Sequence, residues 1–100
     1  MNIINLIFLN GDNMFIIMVY DVSEKRVYKV LKVGRKYVTW IQNSVLEGEI
    51  TDSNFYRLKE EVKKIINKDE DSVLFYILRD TKYSEKENLG IIKNSDNRFL

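Results

Sequence analysis

One apolar segment, residues 15–20, runs without interruption into an aspartate, Asp21. Six consecutive apolar residues are typical of a strand that is buried in a sheet. Such a strand holds the carboxylate at its tip on a rigid element, where it can meet a metal ion or a nucleic-acid backbone. Because one aspartate supplies too few oxygens for a metal cage, the pattern also suggests a second copy of the chain.

The composition restricts the chemistry that is available. The chain has 100 residues, with no histidine and no cysteine, so it forms one domain without disulfides, thiolate zinc sites, histidine bases or cysteine nucleophiles. Any catalysis must therefore depend on carboxylates. The net charge of +1 argues against a uniformly basic nucleic-acid binder. Residues 24–37, however, hold six basic side chains and one acidic one.

The first thirteen residues are predicted to be an extension of unknown role. Their apolar patch lacks the basic start and the small-residue cleavage site of a signal peptide. Polar residues 10–13 interrupt it well short of a membrane span, and the absence of cysteine is compatible with a reducing cytoplasm. We interpret Met14 as the natural start of the domain, the alternative being an additional strand or a partner-binding arm.

Residues 24–36 are predicted to form an amphipathic helix. Val27, Val30, Leu31 and Gly34 follow the i, i+3, i+4, i+7 spacing of one helical face. The basic side chains lie on the opposite face and its flanks: Lys25, Arg26, Lys29, Lys32, Arg35 and Lys36. A stripe of this kind is usually no more than a solvated surface, but its local excess of positive charge also suits contact with phosphates.

The remaining pattern predicts an α+β domain. Residues 38–50 indicate two strands with a turn near Asn43 and Ser44. N-cap residues at 51–53 begin a second helix that ends near Asn67, an acidic loop follows, and residues 72–78 form another buried strand. This order is the ferredoxin-like βαββαβ pattern, whose uncovered sheet face is either solvated or paired. The patch at 89–92 adds a short C-terminal strand, which gives a domain over 14–92 and a polar tail over 93–100.

Several ordered motifs together resemble one family. They are Val19-Tyr20-Asp21-Val22, Lys25-Arg26, Arg35-Lys36-Tyr37, Gln42-Asn43-Ser44-Val45-Leu46-Glu47-Gly48-Glu49 and Asp71-Ser72-Val73. On these motifs the chain resembles the CRISPR-associated protein 2 family, the small partner of the CRISPR integrase. The resemblance extends over about residues 14–92. One departure is Leu46, where the family often has phenylalanine.

The resemblance implies a cytoplasmic homodimer whose sheets face each other and whose C-terminal strand passes onto the partner. It implies that Asp21 pairs with its twin across the dimer axis and binds Mg²⁺. The family is described both as a metal-dependent endonuclease and as a scaffold that holds new spacer DNA between integrase dimers. In the first role Asp21 is the catalytic and metal-binding residue, and a water acidified by the metal attacks the phosphodiester.

Each candidate site residue also has a structural interpretation. Asp21 and Glu24 have the spacing of a capping box, in which the aspartate caps the first helix. Tyr20 could orient a nucleic-acid group, but a core position suits a strand residue better. Ser44 could be a polar contact near Asp21, although a turn residue is the simpler interpretation.

The sequence is compatible with three functions. The first is a homodimeric scaffold for CRISPR spacer acquisition that binds duplex DNA on its basic helices together with the integrase. The second is a stand-alone, magnesium-dependent endoribonuclease or DNase of toxin type, which acts on single-stranded RNA or on DNA through paired Asp21. The third is a ferredoxin-like regulatory module that binds a small ligand or a protein.

Overall fold

The protein folds as a five-stranded antiparallel sheet with two helices, in a computed structural model that describes residues 13–80 and 83–92. Its elements in chain order are β1 (Asn13–Asp21), α1 (Glu24–Gly34), β2 (Thr39–Gln42), β3 (Val45–Thr51), α2 (Asp52–Ile65), β4 (Ser72–Asp80) and β5 (Tyr83–Gly90). The strand order is β2-β3-β1-β4-β5. The first four strands therefore have the ferredoxin-like arrangement, and β5 is added at the edge, which confirms the predicted fold class.

The core lies between β1, β3 and β4 on one side and the two helices on the other. Burial alternates along β1, where Met14, Ile16, Met18 and Tyr20 are buried. This two-residue period is what a strand with one covered face requires. Across the core, Phe55 of α2 meets Phe75 of β4 edge-on, with ring centroids 5.1 Å apart.

The helices begin at residues with capping side chains. Thr51 caps α2 by accepting a hydrogen bond from the Asn54 N–H. The buried face of α1 includes Val30 and Gly34, as predicted. A Cβ at position 34 would lie only 2.9 Å from Leu46 Cδ2, so glycine permits the close approach of α1 to β3.

The opposite face of the sheet is apolar over its two central strands, and neither of the helices that the structure describes covers it. It presents six half-buried side chains from the two central strands, which we call the open sheet face: Phe15, Ile17, Val19, Leu74, Tyr76 and Leu78. The register places them side by side as three cross-strand pairs. Apolar patches of this kind on a monomer usually mark an interaction surface.

The C-terminal strand differs from its predicted position. It covers Tyr83–Gly90 rather than residues 89–92, and it pairs with β4 of the same chain, where the resemblance implied passage onto a partner. The apolar pattern of the sequence did not predict this strand, because β5 is a polar edge strand that is held mainly by backbone pairing. On the side of β5 that faces the helices, Lys59 of α2 donates a hydrogen bond from Nζ to Glu87 Oε1 at 2.9 Å.

The domain boundaries also differ slightly from the prediction. Asn13, expected in the extension, is the first residue of β1 and pairs with Thr51. The rest of the predicted extension and the tail over 93–100 lie outside the described residues.

Candidate functional site

Asp21 is exposed at the end of β1, directly opposite Ser72 of β4. The alternation along β1 puts its side chain on the same side of the sheet as Val19 and the rest of the open sheet face. The backbone beside it is held on the other flank, because the Tyr20 N–H donates to the Ser44 carbonyl at 3.1 Å. A central strand therefore fixes the carboxylate at one corner of an apolar surface.

Asp21 does not cap the first helix, so that prediction is wrong. The N-cap is Ser23, whose side chain accepts a hydrogen bond from the Lys25 N–H. A side-chain hydroxyl two residues further along takes the role because β1 continues through Asp21 before the chain turns into α1. Asp21 is thus a strand residue with its carboxylate beside the sheet.

Tyr20 is a core residue, as its alternate position predicted. It is buried, and its hydroxyl donates to the Asn43 carbonyl at 3.3 Å. Burial raises the pKa of the Tyr20 phenol, which keeps it protonated and able to donate. Asn43 adopts a positive φ of 37°, and with Ser44 it forms the predicted turn between β2 and β3. The tyrosine anchors this turn next to the tip of β1.

A buried carboxylate, Asp71, connects the segments around Asp21 through hydrogen bonds. It accepts hydrogen bonds from Arg26 Nε at 2.6 Å, from the Asn67 N–H at 2.8 Å and from the Ser23 N–H at 3.0 Å. Its side chain is fully buried. The bond to Ser23 fixes the segment that leaves Asp21, so Asp71 is a positioning residue for the strand tip.

Asp71 lies in the predicted acidic loop and in one of the family motifs, but neither pattern predicts a role for it. The sequence did hold a signal for its position, because Asp71 immediately precedes the buried strand that pairs with β1. In an antiparallel pair the start of one strand lies beside the end of the other, so Asp71 lies near the tip of β1. The counter-charge, Arg26, was predicted to bind phosphate. In the structure its guanidinium contacts Asp71 and Glu70, and its binding of phosphate stays a prediction.

The ionisation of Asp71 predicts a stability change in acid. Burial by itself raises the pKa of the carboxyl, but the hydrogen bonds from Arg26, Ser23 and Asn67 outweigh it and lower the pKa to about 2. Because the folded pKa is below the unfolded value of 3.8, this stabilisation is complete above about pH 4 and is lost as the pH falls through 2. We expect it to be about 2 kcal/mol. Urea unfolding of wild type and Asp71→Asn between pH 5 and about 2 measures this contribution. The difference between their free energies of unfolding should become smaller as acid is added. A difference that stays constant would contradict the assignment.

The six predicted nucleic-acid-binding cations have different surroundings. Lys25, Lys29, Lys32 and Arg35 are exposed on α1 or directly after it and form no ion pair with the acidic residues that the structure describes. Lys36 binds Glu61 of α2. With Arg26 committed to Asp71, the first four are the cations most available to a ligand.

No group of three or more acidic residues able to hold a metal ion occurs among residues 13–80 and 83–92. The chemistry of the Asp21 carboxylate nevertheless suits Mg²⁺, which takes oxygen ligands, often one or two carboxylates with several waters. Among the described residues, Asp21 contributes one carboxylate at this position, so further oxygen ligands would have to come from water or from another molecule.

Comparison with known proteins identifies a family that this chain matches. The profile of the family described as "CRISPR associated protein Cas2" matches residues 14–86. The chain is 60% identical over 87 residues to the CRISPR-associated endoribonuclease Cas2 of Dictyoglomus turgidum, covering 87% of this chain and 100% of that protein. It is 52% identical over 83 residues to the protein of the same name from Thermotoga maritima, covering 83% and 95%.

Solved structures agree with these sequence matches. A crystal structure of Cas2 superposes with a TM-score of 0.66 at 37% identity, covering 81% of this chain and 87% of the other. The Streptococcus pyogenes Cas2 crystal structure gives a TM-score of 0.58 at 25% identity, with 86% and 94% covered. In the described part of the chain, neither helix is long and apolar enough to cross a membrane.

Proposed function

Because the chain belongs to the CRISPR-associated protein Cas2 family, we propose that it acts in the cytoplasm as a homodimeric scaffold that holds duplex spacer DNA together with the CRISPR integrase. The observation that carries this proposal is the open sheet face. Six apolar side chains of two central strands lie on one side of the sheet and carry no covering element among the described residues. Pairing with a second copy removes this surface from water.

Such a dimer also places the acidic side chains. Asp21 lies at a corner of the open sheet face, so two faces packed about a two-fold axis can bring the two carboxylates together. Each supplies oxygens of the kind that Mg²⁺ requires. The two Asp21 carboxylates would hold the ion, and the ion would activate water for phosphodiester cleavage.

The helices then lie on the outside of the dimer. Lys25, Lys29 and Lys32 point away from the core of each protomer, in keeping with their exposure. Two such rows of cations give a positive surface for the phosphates of a duplex, with affinity that falls as salt rises. Binding of this type is independent of sequence, which suits a scaffold for new spacers.

Reversing two of these charges is expected to weaken duplex binding. Lys29→Glu with Lys32→Glu should lower the affinity about tenfold or more at moderate salt and flatten the dependence on salt. Stability should change little because both side chains are exposed. Fluorescence anisotropy of a labelled duplex measures the affinity.

The matched control is Lys63→Glu with Lys64→Glu, which makes the same charge change on α2. If both double variants bind equally, α1 is not the DNA surface. Co-purification with the integrase tests the other half of the proposal. A chain that binds no duplex even at low salt would instead favour the regulatory module.

A second candidate function is a stand-alone, magnesium-dependent endoribonuclease that cleaves single-stranded RNA. It is favoured by the exposure of Asp21 and by the name endoribonuclease that the relatives carry. It uses the same dimer and the same carboxylates, so the two functions are separable only by experiment.

Asp21→Asn provides that separation. We expect it to reduce any metal-dependent cleavage of RNA or DNA by about 100-fold or more, because the amide is a weaker metal ligand than the carboxylate. Duplex binding and integrase association should persist. Asp69→Asn, an exposed acid in the loop before β4, serves as the control. A wild-type protein without metal-dependent cleavage would eliminate the second candidate.

A further inference from the structure

A second surface on this protein combines aromatic rings with cations. It consists of Tyr28, Lys32, Arg35 and Lys36 together with Trp40 of β2, and we call it the aromatic-basic surface. Tyr28, Lys32 and Arg35 follow i, i+4, i+7 spacing, so they share one side of α1 and its end. With Leu31 and Lys36 they line a shallow cavity of about 280 Å³.

Trp40 extends this surface onto the sheet edge. Its register partner is Leu46, which is buried against α1, so the indole lies on the helix side of β2. The indole N–H donates to the Asn43 carbonyl at 2.9 Å, and the Arg35 guanidinium lies 5.8 Å from the ring centroid. These two contacts hold the ring in place before any ligand arrives.

Neither ring belongs to the core. Tyr28 is 71% exposed and Trp40 is 46% exposed. A single exposed aromatic residue needs no explanation, but here two accompany a group of cations. Lys32 and Arg35 form no ion pair with a described acidic residue, whereas Lys36 binds Glu61. The surface therefore offers flat apolar faces beside positive charge that is available to an anion.

We propose that the aromatic-basic surface binds unpaired nucleotides, whose bases stack on Tyr28 and Trp40 while their phosphates contact Lys32 and Arg35. This inference rests on the proposed nucleic-acid function and adds to it a site for single strands. In a duplex the faces of the bases are already stacked on each other, so a duplex can use only the cations. Unpaired bases can use the rings as well.

The dimensions suit a short stretch of strand. Tyr28 and Arg35 are seven positions apart, which corresponds to about 10 Å along a helix. This length accommodates only a few nucleotides of an unpaired strand. Stacking is tolerant of base identity, so the site should show little sequence preference.

Trp40 is the only tryptophan of the chain, so its fluorescence reports directly on this surface. The full chain is titrated in EDTA, which prevents metal-dependent cleavage, with mixed-sequence single strands of about 12 nucleotides. The probes are DNA, RNA, an abasic strand of equal charge, and the corresponding DNA duplex. We expect DNA or RNA single strands to quench the emission in a saturable way and the abasic strand and the duplex to leave it nearly unchanged. Comparison of the DNA and RNA arms identifies which sugar is preferred.

Tyr28→Ala gives an independent measurement. It should lower the affinity for single strands about tenfold while duplex affinity stays unchanged, because one stacking face is lost and no charge is removed. Tyr56→Ala removes an exposed tyrosine from α2 and is the matched control. Thermal melting shows whether either variant alters the fold.

The outcomes separate this inference from the function on which it rests. Duplex binding without quenching by single strands overturns the inference and leaves the proposed scaffold standing. Equal quenching by abasic and ordinary strands also overturns it, because stacking then plays no part. Loss of integrase association in Tyr28→Ala, with single-strand binding unchanged, assigns the surface to a protein partner and overturns it too. A protein that binds neither duplex nor single strands contradicts the proposed function itself.

Discussion

Asp71→Ala is expected to lower the free energy of unfolding by about 3–5 kcal/mol. The change removes a fully buried carboxylate and leaves the backbone N–H groups of Ser23 and Asn67 without their acceptor. It also removes the counter-charge of Arg26. A loss of this size is a large fraction of the stability of a domain of this length. Urea unfolding at neutral pH and a fixed chain concentration measures it.

Asp69→Ala is the matched control. Asp69 lies in the same loop, but its side chain is exposed, so its removal should change stability by less than about 0.5 kcal/mol. We also expect Asp71→Ala to impair any activity that depends on Asp21, because Ser23 holds the segment leaving the strand tip. Equal stability of the two variants would contradict the role assigned to Asp71.

Ile17→Asp is expected to convert the proposed dimer to monomers. Ile17 lies at the centre of the open sheet face, in register with Glu47 on one side and Tyr76 on the other. A dimer through this face would have to bury an unpaired carboxylate from each copy. We expect dimer affinity to fall by about 1000-fold, which corresponds to roughly 4 kcal/mol. Sedimentation velocity over a range of chain concentrations measures the effect.

The control for this variant is Tyr56→Asp, which places the same charge on the exposed side of α2. Both variants should keep the wild-type far-ultraviolet spectrum, because neither side chain is in the core. Ile17→Asp should also lose Asp21-dependent cleavage if cleavage requires two carboxylates. A variant that remains dimeric would exclude the open sheet face as the interface.

The sequence predicted the order of elements well because burial dominates the central strands. Buried strands are what the apolar runs at β1 and β4 indicate, and two strands joined by a turn are what the alternation around Asn43 and Ser44 indicates. The strand β5 escaped detection because an edge strand is stabilised by backbone pairing, and only Leu89 of its described side chains is buried. The strand ends at Gly90, which has a φ of 88°. A Cβ at this position would lie only 1.9 Å from the Asp71 carbonyl oxygen, so only glycine fits there.

The site was less predictable than the fold. Local spacing favoured Asp21 as the cap of α1, and this was wrong because the cap, Ser23, is set by where β1 ends. The partner of Arg26 is 45 positions away in sequence, so a helical wheel shows only that the cation lies on a flank. The link between Trp40 and Arg35 likewise arises only when β2 comes to rest beside the end of α1. Contacts between side chains of different elements are seen only in the assembled fold, whether their sequence separation is long, as for Arg26 and Asp71, or short, as for Arg35 and Trp40.

The proposed function depends above all on two copies meeting through the open sheet face with their Asp21 side chains together. Because the chain has no cysteine, Asp21→Cys introduces a single attachment point for a nitroxide spin label. Electron paramagnetic resonance of the labelled chain then measures the distance between the two copies, from dipolar line broadening where the distance is short and from pulsed dipolar methods where it is long, with Lys64→Cys on the outer helix as reference. We expect one short distance at position 21 and a much longer one at position 64. No dipolar coupling at position 21, or a shorter distance at position 64, would contradict this dimer.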